Sequence, residues 1–322
     1  MTFNAYAAKH AKARLEPFRY EPKPLAEDEV EIAISHCGIC HSDVHLVDGE
    51  WGDWFPLVPG HEIVGTVTAG RAFAPGERVG VGWQRNSCGG CEYCRAGEEV
   101  LCPRNEATCQ GNFGGFADRI RVNERFAFPI PDELPSETAA PLLCGGITVY
   151  TPLRTYARKG SSVGVIGIGG LGHLALQFAK ALGCEVTAFS RAADKEAEAR
   201  GFGADHFVTG EPAKGSLDLI LNTAHAAPDM DLYLGALRPK GVFSQLGAAP
   251  TPLSVSAIRL IVGNRTVTGS AIGSPGVIRE MLAVAAAHGI TARSEVVPMR
   301  EVNEALDRTR RNQARYRMVL AN

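Results

Sequence analysis

The sequence predicts an α/β protein in two parts, an irregular antiparallel β domain and a doubly wound parallel sheet. Three observations carry the prediction. At 322 residues the chain exceeds what one hydrophobic core usually supports. Up to about Pro141 the apolar residues come in short runs cut by Gly and Pro, the pattern of antiparallel or barrel-like strands. Beyond Gly145 the composition shifts, and strands alternate with helices at the interval of parallel β-α-β units.

In the first part, residues 30–34 and 63–67 read as strands, and Pro56, Pro59 and Gly60 mark a turn that places His61-Glu62 at a strand start. Residues 148–156 read as a helix. The apolar run 162–168 is a buried parallel strand, followed by a helix over 170–182, a strand over 185–189 and a helix around 194–200. A strand over 217–221, a helix around 229–237 and a strand over 241–246 complete the alternation. Ser274-Pro275 is an N-cap with proline at the first helical position, and Gly289 stops the helix over 277–288. The tail carries a helix around 302–311 and a strand over 316–320, which belong with the first domain. Boundaries are therefore expected at 1–147, 148–285 and 286–322.

Hydrophobic content of 45%, charged content of 21% and a net charge of -2 describe an ordinary soluble globular protein. No strong field favours nucleic acid or anionic membrane, so the expected partners are small molecules or further copies of the chain. The first ten residues show neither a basic region nor a long apolar run, so neither a signal peptide nor a membrane span is expected and a cytoplasmic location follows. Nine clustered cysteines in that setting point to reduced thiols and metal ligation rather than disulfides.

Cys37-Gly-Ile-Cys-His-Ser-Asp-Val-His45 packs two thiols, two imidazoles and a hydroxyl together. Sulfur and imidazole at this density suit zinc, and the hydroxyl with a second histidine offers a route for a proton. A catalytic zinc needs about three protein ligands and one exchangeable position. The candidates are Cys37 or Cys40, His61 or Glu62, and Cys144, and spacing alone does not choose among them. Cys88, Cys91, Cys94 and Cys102 supply four thiolates on short loops with Gly89 and Gly90, which fits a closed structural zinc site. An iron-sulfur cluster is the lesser alternative.

Gly167-Ile-Gly169-Gly170-Leu171-Gly172 lies between a predicted strand and a predicted helix. Gly167 permits the tight turn, Gly169 lets backbone approach a pyrophosphate, and Gly172 lets helix pack on strand, with the helix N-terminus facing the phosphates. The next strand ends without the Asp or Glu that holds a ribose 2′-hydroxyl. Ser190, Arg191 and Lys195 stand there instead, a hydroxyl and two cations that suit a 2′-phosphate and hence NADP(H).

Cys40-His-Ser-Asp, Gly60-His-Glu, the four-cysteine loop, Gly114-Gly-Phe-Ala117, the segment from Pro141 to Tyr150 and the glycine turn occur in one order along the chain. Together they resemble the zinc-dependent medium-chain alcohol dehydrogenases, most closely the cinnamyl alcohol dehydrogenase branch and its bacterial NADPH-dependent aldehyde reductases. The resemblance implies a GroES-like catalytic domain and a Rossmann domain. It implies Cys40, His61 and Cys144 as ligands of the catalytic zinc, Glu62 as an alternate ligand and Cys37 as a packing residue. Ser42 would bond the substrate oxygen and His45, at the surface, would end a proton relay, while Thr148 would lie against the nicotinamide. The resemblance further implies a homodimer and suggests residues 265–270 as a strand that pairs across its axis, an unpaired edge being the equal alternative. It places Trp83 in a substrate pocket wall, with Trp51 and Trp54 in the loop before Pro56. The activity it implies is interconversion of aldehydes and primary alcohols. Two other readings are an NAD-linked alcohol dehydrogenase and a silent protein that binds zinc and NADPH.

Overall fold

A computed structural model describes residues 1–249 and 251–322. The chain divides into two compact units, Met1–Gly145 with Ile272–Asn322, and Gly146–Ala271.

The first unit opens with an antiparallel pair, β1 (Phe3–Ala7) and β2 (Glu16–Tyr20). The long strand β3 (Glu29–Ile39) runs directly into helix α1 (His41–Val47). Strands β4 (Glu62–Ala69), β5 (Arg78–Val81), β6 (Arg119–Asn123) and β7 (Phe128–Pro129) follow, and all their pairings within this segment are antiparallel. Gly65 belongs to the close approach of β4 to β3, because a Cβ there would sit 2.2 Å from the Ala33 carbonyl oxygen.

The second unit begins within helix α2 (Gly145–Tyr156) and continues with β8 (Ser162–Ile166), α3 (Gly172–Ala181), β9 (Glu185–Phe189), β10 (His206–Val208), β11 (Leu217–Asn222), α4 (Met230–Ala236), β12 (Leu237–Gln245), α5 (Ala257–Ile261) and β13 (Thr266–Gly269). The six strands lie all parallel in the order β10-β9-β8-β11-β12-β13. The order in which strands are added to the sheet therefore reverses between β8 and β11, the switch point of a doubly wound sheet. All five residues of β8 are buried, as the unbroken apolar run requires.

The chain returns through α6 (Pro275–His288), β14 (Ser294–Pro298), α7 (Val302–Arg310) and β15 (Arg317–Ala321). Strand β15 pairs antiparallel with β3 and parallel with β14, so the first unit's main sheet runs β14-β15-β3-β4-β5-β7, with β6 also on β3.

Several boundaries move. The second domain boundary shifts from 285/286 to 271/272, because α6 belongs with the first unit: Arg279 lies 5.4 Å over the Phe128 ring, and Ser274 Oγ accepts from Val100 N at 3.3 Å. The first boundary moves from 147/148 to 145/146. Strand β8 stops at Ile166 and α3 starts at Gly172, because Gly167 turns the chain with φ +84°. Strands β10 and β14 have no counterpart in the sequence reading, since each is short and neither alternates buried with exposed residues. Among the described residues no helix is long and apolar enough to cross a membrane.

Candidate active site and metal centres

The first site grows from the junction of β3 and α1. Cys40 is extended (φ -108°, ψ 158°) and caps α1, so its side chain stands at the end of the sheet. Asp43, three residues on and fully buried, closes a capping box by accepting from Cys40 N through Oδ2 at 2.9 Å. Its Oδ1 accepts from Gly60 N at 2.9 Å and faces His61 Nδ1 at 3.0 Å. One carboxylate thus holds two predicted ligands from separate segments. With Nδ1–H donated to Asp43, His61 keeps its Nε2 lone pair for the opposite side.

Cys40, His61, Glu62 and Cys144 bring four donor atoms within 4.8 Å of one another. The Cys40 and Cys144 sulfurs are 3.9 Å apart. A tetrahedral zinc with Zn–S of about 2.3 Å requires an S···S edge of about 3.8 Å. His61 Nε2 and Glu62 Oε2 are buried with no hydrogen-bond partner among the described residues, which native interiors rarely tolerate. These residues therefore fit a zinc ion.

Electrostatics agree with the geometry. The hydrogen bond from Cys144 pulls the Cys40 thiol well below its usual range, while the same interaction, with burial, pushes Cys144 up. Burial alone would depress the His61 imidazole, but Asp43 and Cys144 hold it well above its ordinary value. Burial pushes Glu62 up to about 7 against the opposing charge of Arg317, whose guanidinium bonds Glu62 Oε1. Protons held this way by a cluster are those a dication displaces.

Ser42 Oγ lies 3.6 Å from Cys40 Sγ, and His45 stands one turn further along α1 on the same face. The expected surface position of His45 is corrected: its side chain is only 12% exposed, stacked on Trp51 at 4.8 Å. Solvent is reached by Glu50, whose Oε2 lies 2.5 Å from His45 Nδ1 and whose side chain is 56% exposed. Trp83 sets its ring edge-on to His61 at 4.9 Å, and Trp51 meets Trp83 at 6.1 Å, so both flank the cluster. Trp54 is exposed, with Nε1 donating to the Trp51 carbonyl at 2.9 Å. Cys37 lies outside the cluster, fully buried, with its thiol 3.6 Å from the Gly38 carbonyl oxygen.

Asp43, Arg317, Glu50 and Cys109 were not singled out from the sequence. Cys109 Sγ is 4.0 Å from His61 Nδ1. Asp43 carried a readable signal, a carboxylate at the third position of a helix whose cap is a candidate ligand. Arg317 carried a fainter one, a lone cation in the apolar run of β15.

The second site gathers Cys88, Cys91, Cys94 and Cys102, again within 4.8 Å, with Cys88 and Cys94 sulfurs 3.9 Å apart. Backbone N–H groups aim at these sulfurs: Cys91 to Cys88 at 3.3 Å, Cys94 to Cys91 at 3.5 Å and Arg104 to Cys102 at 3.4 Å. Donors from Gly90 and Cys91 bring the Cys88 thiol down to about 5. Gly89, at φ +68°, makes the wrap possible, and the lobe is anchored by Gln84 on the Glu99 carbonyl and Arg125 on its carboxylate.

In the second unit, Gly167 N is bonded to the Phe189 carbonyl at the end of β9, which brings the turn beside Ser190 and Arg191. Lys195 Nζ bonds the Ile168 carbonyl at 2.7 Å. A Cβ on Gly172 would lie 2.0 Å from the Gly167 carbonyl oxygen, while one on Gly169 would meet open space. Gly170 and Leu171 complete the turn, and Leu171 O accepts from Leu174 N and Ala175 N in α3 while Gly169 O accepts from His173 N. Thr148 lies on α2.

Buried sulfur and imidazole donors in one unit and a glycine turn at the switch point of the other define a two-domain, zinc-type, dinucleotide-linked dehydrogenase. Residues 26–132 match the alcohol dehydrogenase GroES-like domain and residues 170–287 the zinc-binding dehydrogenase domain. The chain belongs to the zinc-dependent medium-chain alcohol dehydrogenases. It is 44% identical to a probable formaldehyde dehydrogenase AdhA of Bacillus subtilis, over 98% of this chain and 96% of the relative. It is 41% identical to an aldehyde reductase AdhA of Synechocystis, over 99% and 98%. Among solved structures it resembles a cinnamyl alcohol dehydrogenase from Sorghum bicolor (TM-score 0.95, 39% identity, 100% and 98% covered). A cinnamyl alcohol dehydrogenase from Helicobacter pylori complexed with NADP(H) gives a TM-score of 0.93 at 32% identity, covering 100% and 98%.

Proposed function

We propose that this protein is an NADPH-dependent aldehyde reductase of broad specificity that interconverts aldehydes and primary alcohols. The observation that carries the reading is the buried donor set Cys40, His61 and Cys144, next to Ser42 and the His45–Glu50 pair.

Cys40, His61 and Cys144 would hold the catalytic zinc, and Glu62, drawn back by Arg317, would be the alternate ligand. When bound, the zinc polarises a carbonyl and the nicotinamide supplies or takes the hydride. Asp43 fixes the tautomer and direction of His61. The Ser42 hydroxyl donates to the substrate oxygen, and His45, with Glu50 at its outer nitrogen, exchanges the proton with water. Trp51 and Trp83 line an apolar approach suited to aliphatic and aromatic aldehydes. Cys88, Cys91, Cys94 and Cys102 would hold a structural zinc.

Gly167, Gly169, Gly170, Leu171 and Gly172 would receive the pyrophosphate. Ser190, Arg191 and Lys195 would receive the 2′-phosphate, and Thr148 would bear on the nicotinamide. The relative solved with NADP(H) supports that cofactor. We also place the protein in the cytoplasm, where both thiol clusters stay reduced. A homodimer is supported by the exposed Ile258, Ile261 and Val262 around α5, close in sequence to the edge strand β13.

The test is turnover of zinc-replete protein on a panel of aliphatic and aromatic aldehydes with NADPH and with NADH. The expected result is reduction of several aldehydes with a clear preference for NADPH. Failure on every aldehyde, or a preference for NADH, would overturn the corresponding part of the proposal.

A further inference from the structure

The chain has three tryptophans. Trp51 and Trp83 are half-buried and flank the cluster of donors, whereas Trp54 is 39% exposed and fills no core. Trp54 is nevertheless held on two sides. Its Nε1 donates to the Trp51 carbonyl at 2.9 Å, and the indole lies back over Gly52, which has φ +111° and where a Cβ would sit 2.9 Å from Nε1. Its six-membered ring rests on Gly111, where a Cβ would stand 3.5 Å from Cζ3.

The segment that carries Gly111 is anchored to the other half-buried tryptophan. Thr108 N donates to the Trp83 carbonyl at 2.7 Å and Thr108 Oγ1 to the Gly82 carbonyl at 2.6 Å, while Asn112 Nδ2 closes the segment on the Ala107 carbonyl at 3.1 Å. Contacts thus run in a circuit from Trp51 through Trp54, Gly111 and Thr108 to Trp83, whose ring meets Trp51 again at 6.1 Å. Among the described residues, no hydrogen bond between backbone groups ties residues 51–56 to the rest of the chain. Trp54 supplies the tie that this loop lacks.

We propose that Trp54 is a positioning residue for substrate selection: it latches the loop of Trp51 to the segment bonded to Trp83, and so fixes the Trp51 side of the apolar approach. The inference rests on the reading of Trp51 and Trp83 as walls of that approach. A wall held in place beforehand meets a flat aromatic aldehyde without the cost of being ordered on binding. A short aliphatic aldehyde covers too little of the indole to benefit.

The experiment compares Trp54→Ala with Trp54→Phe in the full, zinc-replete chain. In both variants Trp51 and Trp83 are the only indoles left, so acrylamide quenching of their fluorescence reads their exposure and needs no turnover. Phenylalanine keeps a ring on Gly111, so quenching should be stronger in Trp54→Ala. With NADPH, Trp54→Ala should lower the ratio of kcat/KM for benzaldehyde to that for propanal about 3- to 10-fold, the change residing in KM, and Trp54→Phe should recover most of it. Equal quenching in the two variants overturns the latch, and a loss of kcat shared by both aldehydes assigns Trp54 to the fold and overturns the proposal. Stronger quenching in Trp54→Ala with an unmoved ratio supports the latch and overturns the reading of Trp51 as a substrate wall beneath it.

Discussion

Asp43 shows how much of a metal site can rest on a residue that never touches the metal. Its two oxygens receive Cys40 N, Gly60 N and His61 Nδ1–H, so it ties α1 to the turn before β4. Asparagine has the same shape, but its amide would turn a donor toward one of those three donors. Asp43→Asn should therefore cut turnover or zinc affinity on the order of 10- to 100-fold while leaving the fold intact, as checked by zinc content and kcat/KM. Glu31 illustrates the opposite case, a carboxylate whose role is stability. Burial alone would raise its pKa, but Arg121, Thr68 and Arg119 bond it and hold it below the ordinary value of 4.5. A folded pKa below the unfolded one contributes stability that is present above the unfolded value and is lost as pH falls through the folded value. The stability difference between the unmodified protein and Glu31→Gln should thus be constant near neutrality and shrink below about pH 4.5, as read by urea unfolding at several pH values.

At the scale of elements, the four-cysteine lobe and the glycine turn each depend on a local rule that one substitution breaks. Cys91→Ser removes one of four ligands and an acceptor for Cys94 N, so the lobe should lose its zinc. We expect one zinc equivalent fewer per chain and a melting temperature lower by roughly 10 °C, with loss of turnover following loss of fold. A stable, inactive variant would contradict the structural role. Gly172→Ala would drive a methyl into the Gly167 carbonyl, 2.0 Å away. The turn must then open, and NADPH should bind about 10- to 100-fold more weakly at unchanged zinc content, measured by fluorescence titration. Both elements were legible because their determinants are consecutive: cysteine spacing, and glycines between a strand and a helix. The short strands β10 and β14 were not, since their pairing depends on neighbours distant in sequence.

For the whole molecule, the decisive feature is the return of the chain to its first unit. Strand β15 lies inside the main sheet, between β14 and β3, and delivers Arg317 to Glu62. A chain ended at Ala271 should consequently lose an interior strand and leave Glu62 buried without its cation. We expect such a protein to aggregate or to show broadened unfolding by circular dichroism, whereas a folded, monodisperse product would mean that the first unit stands without the return. The helix α6 follows the same logic. Its caps were readable from Ser274, Pro275 and Gly289, but its allegiance was not, because Arg279 finds Phe128 only after the chain has folded.

The amino-acid sequence by itself determined the two-part architecture, the inventory of donors and the segments that present them, since hydrophobic period, glycine placement and cysteine spacing are local properties. The choice among donors was open in the residues themselves: Cys37 and Cys40 are equivalent in spacing, as are His61 and Glu62. Tertiary structure narrows that choice. The end of β3, the turn before β4 and the segment after Leu143 converge so that donor atoms of Cys40, His61, Glu62 and Cys144 lie within 4.8 Å of one another, with the other Glu62 oxygen on Arg317 and Cys37 buried outside the cluster. A metal site requires ångström-scale agreement among residues a hundred positions apart, and only packing and strand pairing fix such distances.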